Sequence, residues 1–107
     1  MAVPSTYEAS ELTREQVDAM TGAVVLEFGT GWCGHCQAAA PLFGLGLGAH
    51  PGVRHIRIED GRGKRLGRSF GVKLWPTFVF LRDGREIARL VRPRDEQAIH
   101  DAFAQIT

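Results

Sequence analysis

Two cysteines stand three positions apart in the stretch GTGWCGHCQAAAP, Cys33 and Cys36, with Gly34 and His35 between them. Such a pair can staple a fold, clip a metal or trade electrons. The staple is weak here, because so short a loop removes little entropy from the unfolded chain. A structural zinc site wants four ligands, usually from two such pairs. This chain has one pair, and His50, His55 and His100 lack finger-like spacing. An inert buried pair is disfavoured by the flanking glycines, Gly31 and Gly34, and by Trp32, which together predict an exposed loop. Reversible dithiol–disulfide chemistry is the reading these residues support best.

That chemistry needs one sulfur that attacks and a second that resolves, and the neighbouring elements are suited to supply both. The run AVVLEF, 23–28, is short, apolar and bounded by glycines, which predicts a strand buried on both faces. Gly29, Thr30 and Gly31 then let the chain turn and deliver Cys33 to the start of a helix. Unpaired backbone N–H groups and the helix dipole favour negative charge there, and the thiolate is the nucleophile of disulfide exchange. Cys36 lies one turn further on the same face, placed to attack a mixed disulfide formed at Cys33 and release the product. His35 adds a group that can be cationic near neutrality and so tune a neighbouring thiolate.

The remaining pattern completes the frame. Thr13 to Gln16 fits a capping box with Leu12 and Val17 as its apolar staple, opening a helix to about Met20 that Gly22 stops. The helix from Cys33 contains Pro41, which predicts a kink. It reads as helix to about residue 43 and the stretch beyond stays open, because Gly44, Gly46 and Gly48 each disfavour helix by about 1 kcal/mol relative to alanine. Residues 53–59 read as a strand and 64–70 as a short helix. PTFVFLRDGREIARLV reads as a hairpin turning at Asp83-Gly84, and Asp95 caps a last helix bearing Ile99, Ala102, Phe103 and Ile106. Alternating units imply a largely parallel sheet with an antiparallel edge.

At 107 residues, with 44% apolar and 23% charged, the chain is expected to fold as a single domain over 1–107. The net charge of +1 gives no global steering toward nucleic acid or membranes. Charge is divided unevenly: residues 1–60 carry 3 basic and 7 acidic groups, residues 61–107 carry 10 and 5. The basic run Arg62, Lys64, Arg65, Arg68 and Lys73 has only Phe70 as an aromatic companion, so it reads as solvated surface rather than a nucleic-acid face. No membrane-length apolar run exists, and no leader-like start is visible in residues 1–16. A cytoplasmic location is the expectation.

The segment VVLEFGTGWCGHCQAAAP resembles the active-site segment of the thioredoxin superfamily, with its buried strand, W-C-x-x-C and a helix carrying proline five residues after the second cysteine. GVKLWPTFVFLRDGREI resembles the family's later segment, where a cis-proline followed by threonine opens a hairpin strand. Together they cover residues 23–92. C-G-H-C is similar to the protein disulfide isomerase type, whereas ordinary thioredoxins carry Cys-Gly-Pro-Cys. The chain departs from the pattern at Gly29, where a tryptophan is usual, at Trp75, where a small or branched residue is usual, and in the glycine-rich helix tail.

The resemblance implies an α/β thioredoxin-like three-layer sandwich with a mixed sheet of 4–5 strands, Cys33 as the exposed attacker, Cys36 as the buried resolving thiol, and a redox-active Cys33–Cys36 disulfide. It implies a cis bond before Pro76, with Trp32, Gly34, Trp75, Pro76 and Thr77 forming the substrate-binding rim. Glu27 falls where the family has a buried acid that moves a proton to or from Cys36, and His55 where it has that acid's buried basic partner. The implied activity is thiol–disulfide oxidoreduction of protein disulfides by a monomer. The cysteines serve as redox centre without a cofactor, and a reductase-like protein serves as electron donor. Nucleic acid and membrane are not expected partners. A binding or adaptor module that uses the Trp75–Pro76 surface with little redox turnover is the alternative.

Overall fold

The computed structural model describes residues 12–107, and its elements are α1 Arg14–Asp18, β1 Ala23–Gly29, α2 Gly34–Ala49, β2 Arg54–Glu59, α3 Arg65–Ser69, β3 Thr77–Arg82, β4 Arg85–Val91 and α4 Glu96–Ile106. The four strands form one sheet in the order β2-β1-β3-β4. Because β1 is central, both of its faces are covered. Val24, Leu26 and Phe28 join Val17 of α1 and Leu66 and Phe70 of the α3 region in one cluster. Val25 joins Phe43 and Leu47 of α2 and Ile99, Phe103 and Ile106 of α4 in the other. The result is a three-layer sandwich on a mixed sheet.

The expectation of a largely parallel sheet is overturned. Only β1 and β2 run parallel; β3 is antiparallel to both β1 and β4. A parallel neighbour needs a long crossover, and the 16-residue α2 supplies one between β1 and β2. The segment 60–76 holds only the five-residue α3 and returns to the end where β2 finished. β3 therefore starts beside the finish of β1, with Thr77 opposite Phe28. This register brings Pro76 next to the loop that leaves Gly29.

Local signals account for most boundaries. Thr13 Oγ1 accepts from the Gln16 backbone N–H and the Gln16 side chain accepts from the Thr13 N–H, so the capping box closes. Asp95 accepts from the Gln97 N–H at 2.9 Å. At the hairpin tip Asp83 and Gly84 both have positive φ, 51° and 79°, as a type I′ turn requires. The turn is pinned to Gly22 by two hydrogen bonds, and a Cβ at residue 84 would collide with the Asp18 carbonyl.

The stretch beyond residue 43, open from the sequence, is helical: α2 continues through Pro41 to Ala49. Gly46 explains it. A Cβ there would lie 2.7 Å from Ile99 Cγ2 and 2.8 Å from Phe103 Cε2. The glycine lets α4 approach closely, and the burial of Phe43 and Leu47 outweighs its poor helix propensity.

Candidate active site

β1 ends under the loop that carries the cysteines. The Cys33 N–H donates to the Thr30 carbonyl, and Gln37 Nε2 donates back to the Gly31 carbonyl at 3.1 Å, tying the loop to the helix it starts. Cys33 is the N-cap of α2, with extended backbone, and its Sγ accepts the Cys36 backbone N–H at 3.3 Å. This is where an N-cap oxygen ordinarily sits, so the first-turn donors face a sulfur. Both cysteines are free thiols. The exposed attacker is corrected in degree. Cys33 retains only 7% of its surface and Cys36 1%, because the N-cap side chain folds back over the first turn. The loop is exposed at Gly31 and at Trp32, the latter at 75%.

The bond between Trp75 and Pro76 is cis. The Trp75 ring meets Trp32 edge-on with centroids 5.7 Å apart, so the two indoles from distant segments form one rim beside Cys33. Trp75 is held from both ends: its Nε1 donates to Asp60 at 2.9 Å, and its carbonyl accepts from Arg92 Nε at 2.8 Å. Thr77 is buried, its hydroxyl donating to the Leu74 carbonyl at 2.6 Å. Gly34 is exposed, with open space where a Cβ would stand. His35 is exposed and lines a small depression of about 130 Å³ with Leu42, Arg92 and Arg94.

Behind the loop lies a buried charged cluster. Glu27, 2% exposed, points to the α2 side of the sheet. Its Oε1 is 2.8 Å from His55 Nε2, and its Oε2 is 3.3 Å from Arg57 Nε. The Phe43 ring covers His55 at 4.6 Å. Phe43, Ala39 and Cys36 are all buried along the inner side of α2, so the helix bearing the resolving thiol roofs the cluster. The Glu27–His55 contact expected from resemblance is present. Arg57 was not anticipated, although it lies two residues from His55, on the same face, and directly opposite Glu27 in the parallel register. Asp60 and Arg92, which hold Trp75, were missed as well; only the fold brings them there.

Other candidates resolve into structure. Phe70 is buried against Phe28, with Arg14 stacked 3.8 Å from its ring centre, and offers no base a stacking face. The His50 ring stacks on Phe103 at 5.0 Å, and His100 faces Glu96 at 3.4 Å. Among the described residues no three His, Cys, Asp or Glu side chains gather as a metal site, and no helix is long and apolar enough to cross a membrane.

Comparison with known proteins agrees with this geometry. The thioredoxin family model matches residues 5–105. Thioredoxin H5 of Oryza sativa subsp. japonica is 31% identical over 94 residues, covering 88% of this chain and 69% of that protein. A thioredoxin H-type of Oryza sativa subsp. indica is 30% identical over 73 residues, 68% of this chain, and thioredoxin H-type 1 of Nicotiana tabacum 32% over 74 residues, 69%. The match spans 60% and 59% of those two proteins' lengths. The structure of thioredoxin 2 from Pseudomonas aeruginosa PAO1 in its reduced form superposes with a TM-score of 0.85 at 53% identity, covering 94% of each chain.

Proposed function

The chain belongs to the thioredoxin family, and from that membership and the cysteine geometry we propose that it is a thiol–disulfide oxidoreductase acting on protein disulfides. Cys33 as thiolate attacks one sulfur of a client disulfide, forming a mixed disulfide and expelling the client's other sulfur as a thiolate. Cys36, deprotonated, then attacks Cys33 Sγ, the second client sulfur leaves as a thiol, and Cys33–Cys36 closes as a disulfide. The client gains two electrons and the cysteine pair loses them. The observation that carries this reading is the Cys36 N–H aimed at Cys33 Sγ in the first turn of α2, since it offers negative charge on that sulfur a donor. Trp32 and Trp75 give the client an apolar rim. Pro76 and Thr77 set the floor beside it, Gly34 leaves room over the first turn, and His35 supplies a nearby cation when protonated. Glu27, buried under the helix that bears Cys36, passes a proton during the resolving step, with His55 as its partner.

The cysteine pair is the redox centre, so no resident cofactor enters the reaction. A monomer re-reduced by a reductase-like protein completes the cycle, and a reducing cytoplasm would run it toward client reduction. Insulin reduction with dithiothreitol as electron source tests the reading. Turnover by the wild type that disappears in Cys33→Ser supports it. Absence of turnover together with retained binding of reduced insulin chains would replace it with an adaptor.

A further inference from the structure

The Trp75 indole has two sides. One meets Trp32 next to Cys33. The other lines a groove of about 440 Å³ whose charged walls are Asp60, Arg62, Lys64, Arg68 and Lys73. Two glycines line it with positive φ, Gly61 at 145° and Gly71 at 67°, and turn the chain at its rim. Lys64 is paired with Glu59 at 3.4 Å, and the Asp60 carboxylate accepts the Trp75 N–H. Arg62, Arg68 and Lys73 form no ion pair with any described residue. Three cations with no ion pair among the described residues therefore share one concave surface bordered by Trp75, on the half of the chain that holds the basic excess.

We propose that this groove is a client-selecting surface that binds acidic side chains flanking the target disulfide, a proposal that rests on the oxidoreductase reading above. The occupant is an extended segment of a client protein. Its cysteine engages Cys33, and the chain then passes over Trp75. A carboxylate a few positions from the cysteine then meets Arg62, Arg68 and Lys73. Exposed opposite charges act chiefly on encounter and register, and salt screens them. The groove thus lowers KM for acid-flanked disulfides and leaves the chemical step unchanged. Nucleic acid is the weaker occupant, because the nearby Phe70 is buried and Trp75 is held by Asp60.

The test uses two disulfide peptides, identical except for Asp-Asp or Asn-Asn placed three residues from the cysteine. Wild type and an Arg62→Glu/Arg68→Glu/Lys73→Glu variant are compared at low and high salt, with melting curves to verify folding. The expected result is a kcat/KM about tenfold higher for the acidic peptide with the wild type at low salt. The advantage is carried in KM and is lost both in high salt and in the variant, while the neutral peptide is reduced equally by both proteins. Equal rates for the two peptides with wild type, or an advantage that survives in the variant, overturn the proposal. So does a single-stranded oligonucleotide that displaces the acidic peptide at lower concentration than unlabelled acidic peptide does. If neither peptide is reduced by wild type, the oxidoreductase reading fails and takes the proposal with it.

Discussion

Replacing Glu27 by leucine exposes what the buried cluster costs and contributes. Glu27 is 2% exposed and Arg57 9%, with 3.3 Å between carboxylate and guanidinium, and His55 completes the group at 2.8 Å. Removing one member of a buried ion pair typically costs about 3–5 kcal/mol, because the remaining charge stays desolvated without its counter-charge. Near the lower bound, at about 4–8 °C per kcal/mol for a domain of this size, the midpoint falls by at least about 12 °C. Replacing all three, Glu27→Leu/His55→Leu/Arg57→Leu, removes the stranded charge as well. That variant is expected to return to within about 1 kcal/mol of wild type, or above it, since apolar substitutes for a buried ion pair are often neutral or stabilising. Urea unfolding followed by circular dichroism reads both variants. A Glu27→Leu protein that loses less than about 1 kcal/mol, or a triple variant as unstable as the single, would refute the reasoning. Insulin turnover of the triple variant, measured well below its midpoint, then isolates the proton-relay role: a slowed resolving step in a stable protein is the expected outcome.

Three further alanine substitutions probe glycines of α2 and α3. A Cβ at residue 67 would collide with the Asp60 carboxylate that holds Trp75. Gly67→Ala is therefore expected to cost about 1 kcal/mol for the lost hydrogen bond and to shift tryptophan fluorescence; unchanged emission and melting would contradict the link. In α2, Gly46→Ala must displace Ile99 and Phe103 and is expected to destabilise by about 1 kcal/mol net, overpacking exceeding the helix-propensity gain. Gly48→Ala meets nothing within 4 Å and is expected to gain about 0.5–1 kcal/mol. Thermal melts that place the two alanines in the opposite order would contradict the assigned packing.

The parts of the fold legible in the sequence are those encoded locally. The capping box at Thr13, the Asp83-Gly84 turn, the Asp95 cap and the continuous apolar run of β1 each carry their signal within a few residues. The placement of Cys33 at the start of α2 is legible for the same reason, whereas the cis bond before Pro76 enters only through the family resemblance. What escaped depends on register and packing. Arg57 became a partner of Glu27 only through the parallel pairing of β1 with β2. Asp60 and Arg92 reach Trp75 across 15 and 17 residues. The α2 tail stays open in the sequence because its glycines weigh against helix by propensity, whereas Gly46 is required where α4 crosses. The direction of β3 was misjudged because helix–strand alternation does not reveal which end of the sheet a short connection reaches.

The proposed mechanism requires Cys33 as the attacking sulfur and Cys36 as the resolving one. Trapping tests this most directly: Cys36→Ser incubated with a disulfide peptide, quenched in acid and mapped by mass spectrometry. The expected product is a stable mixed disulfide on Cys33, with Cys33→Ser giving little adduct at Cys36. Equal adducts on the two single variants, or none on Cys33, would contradict the division of labour on which the mechanism depends.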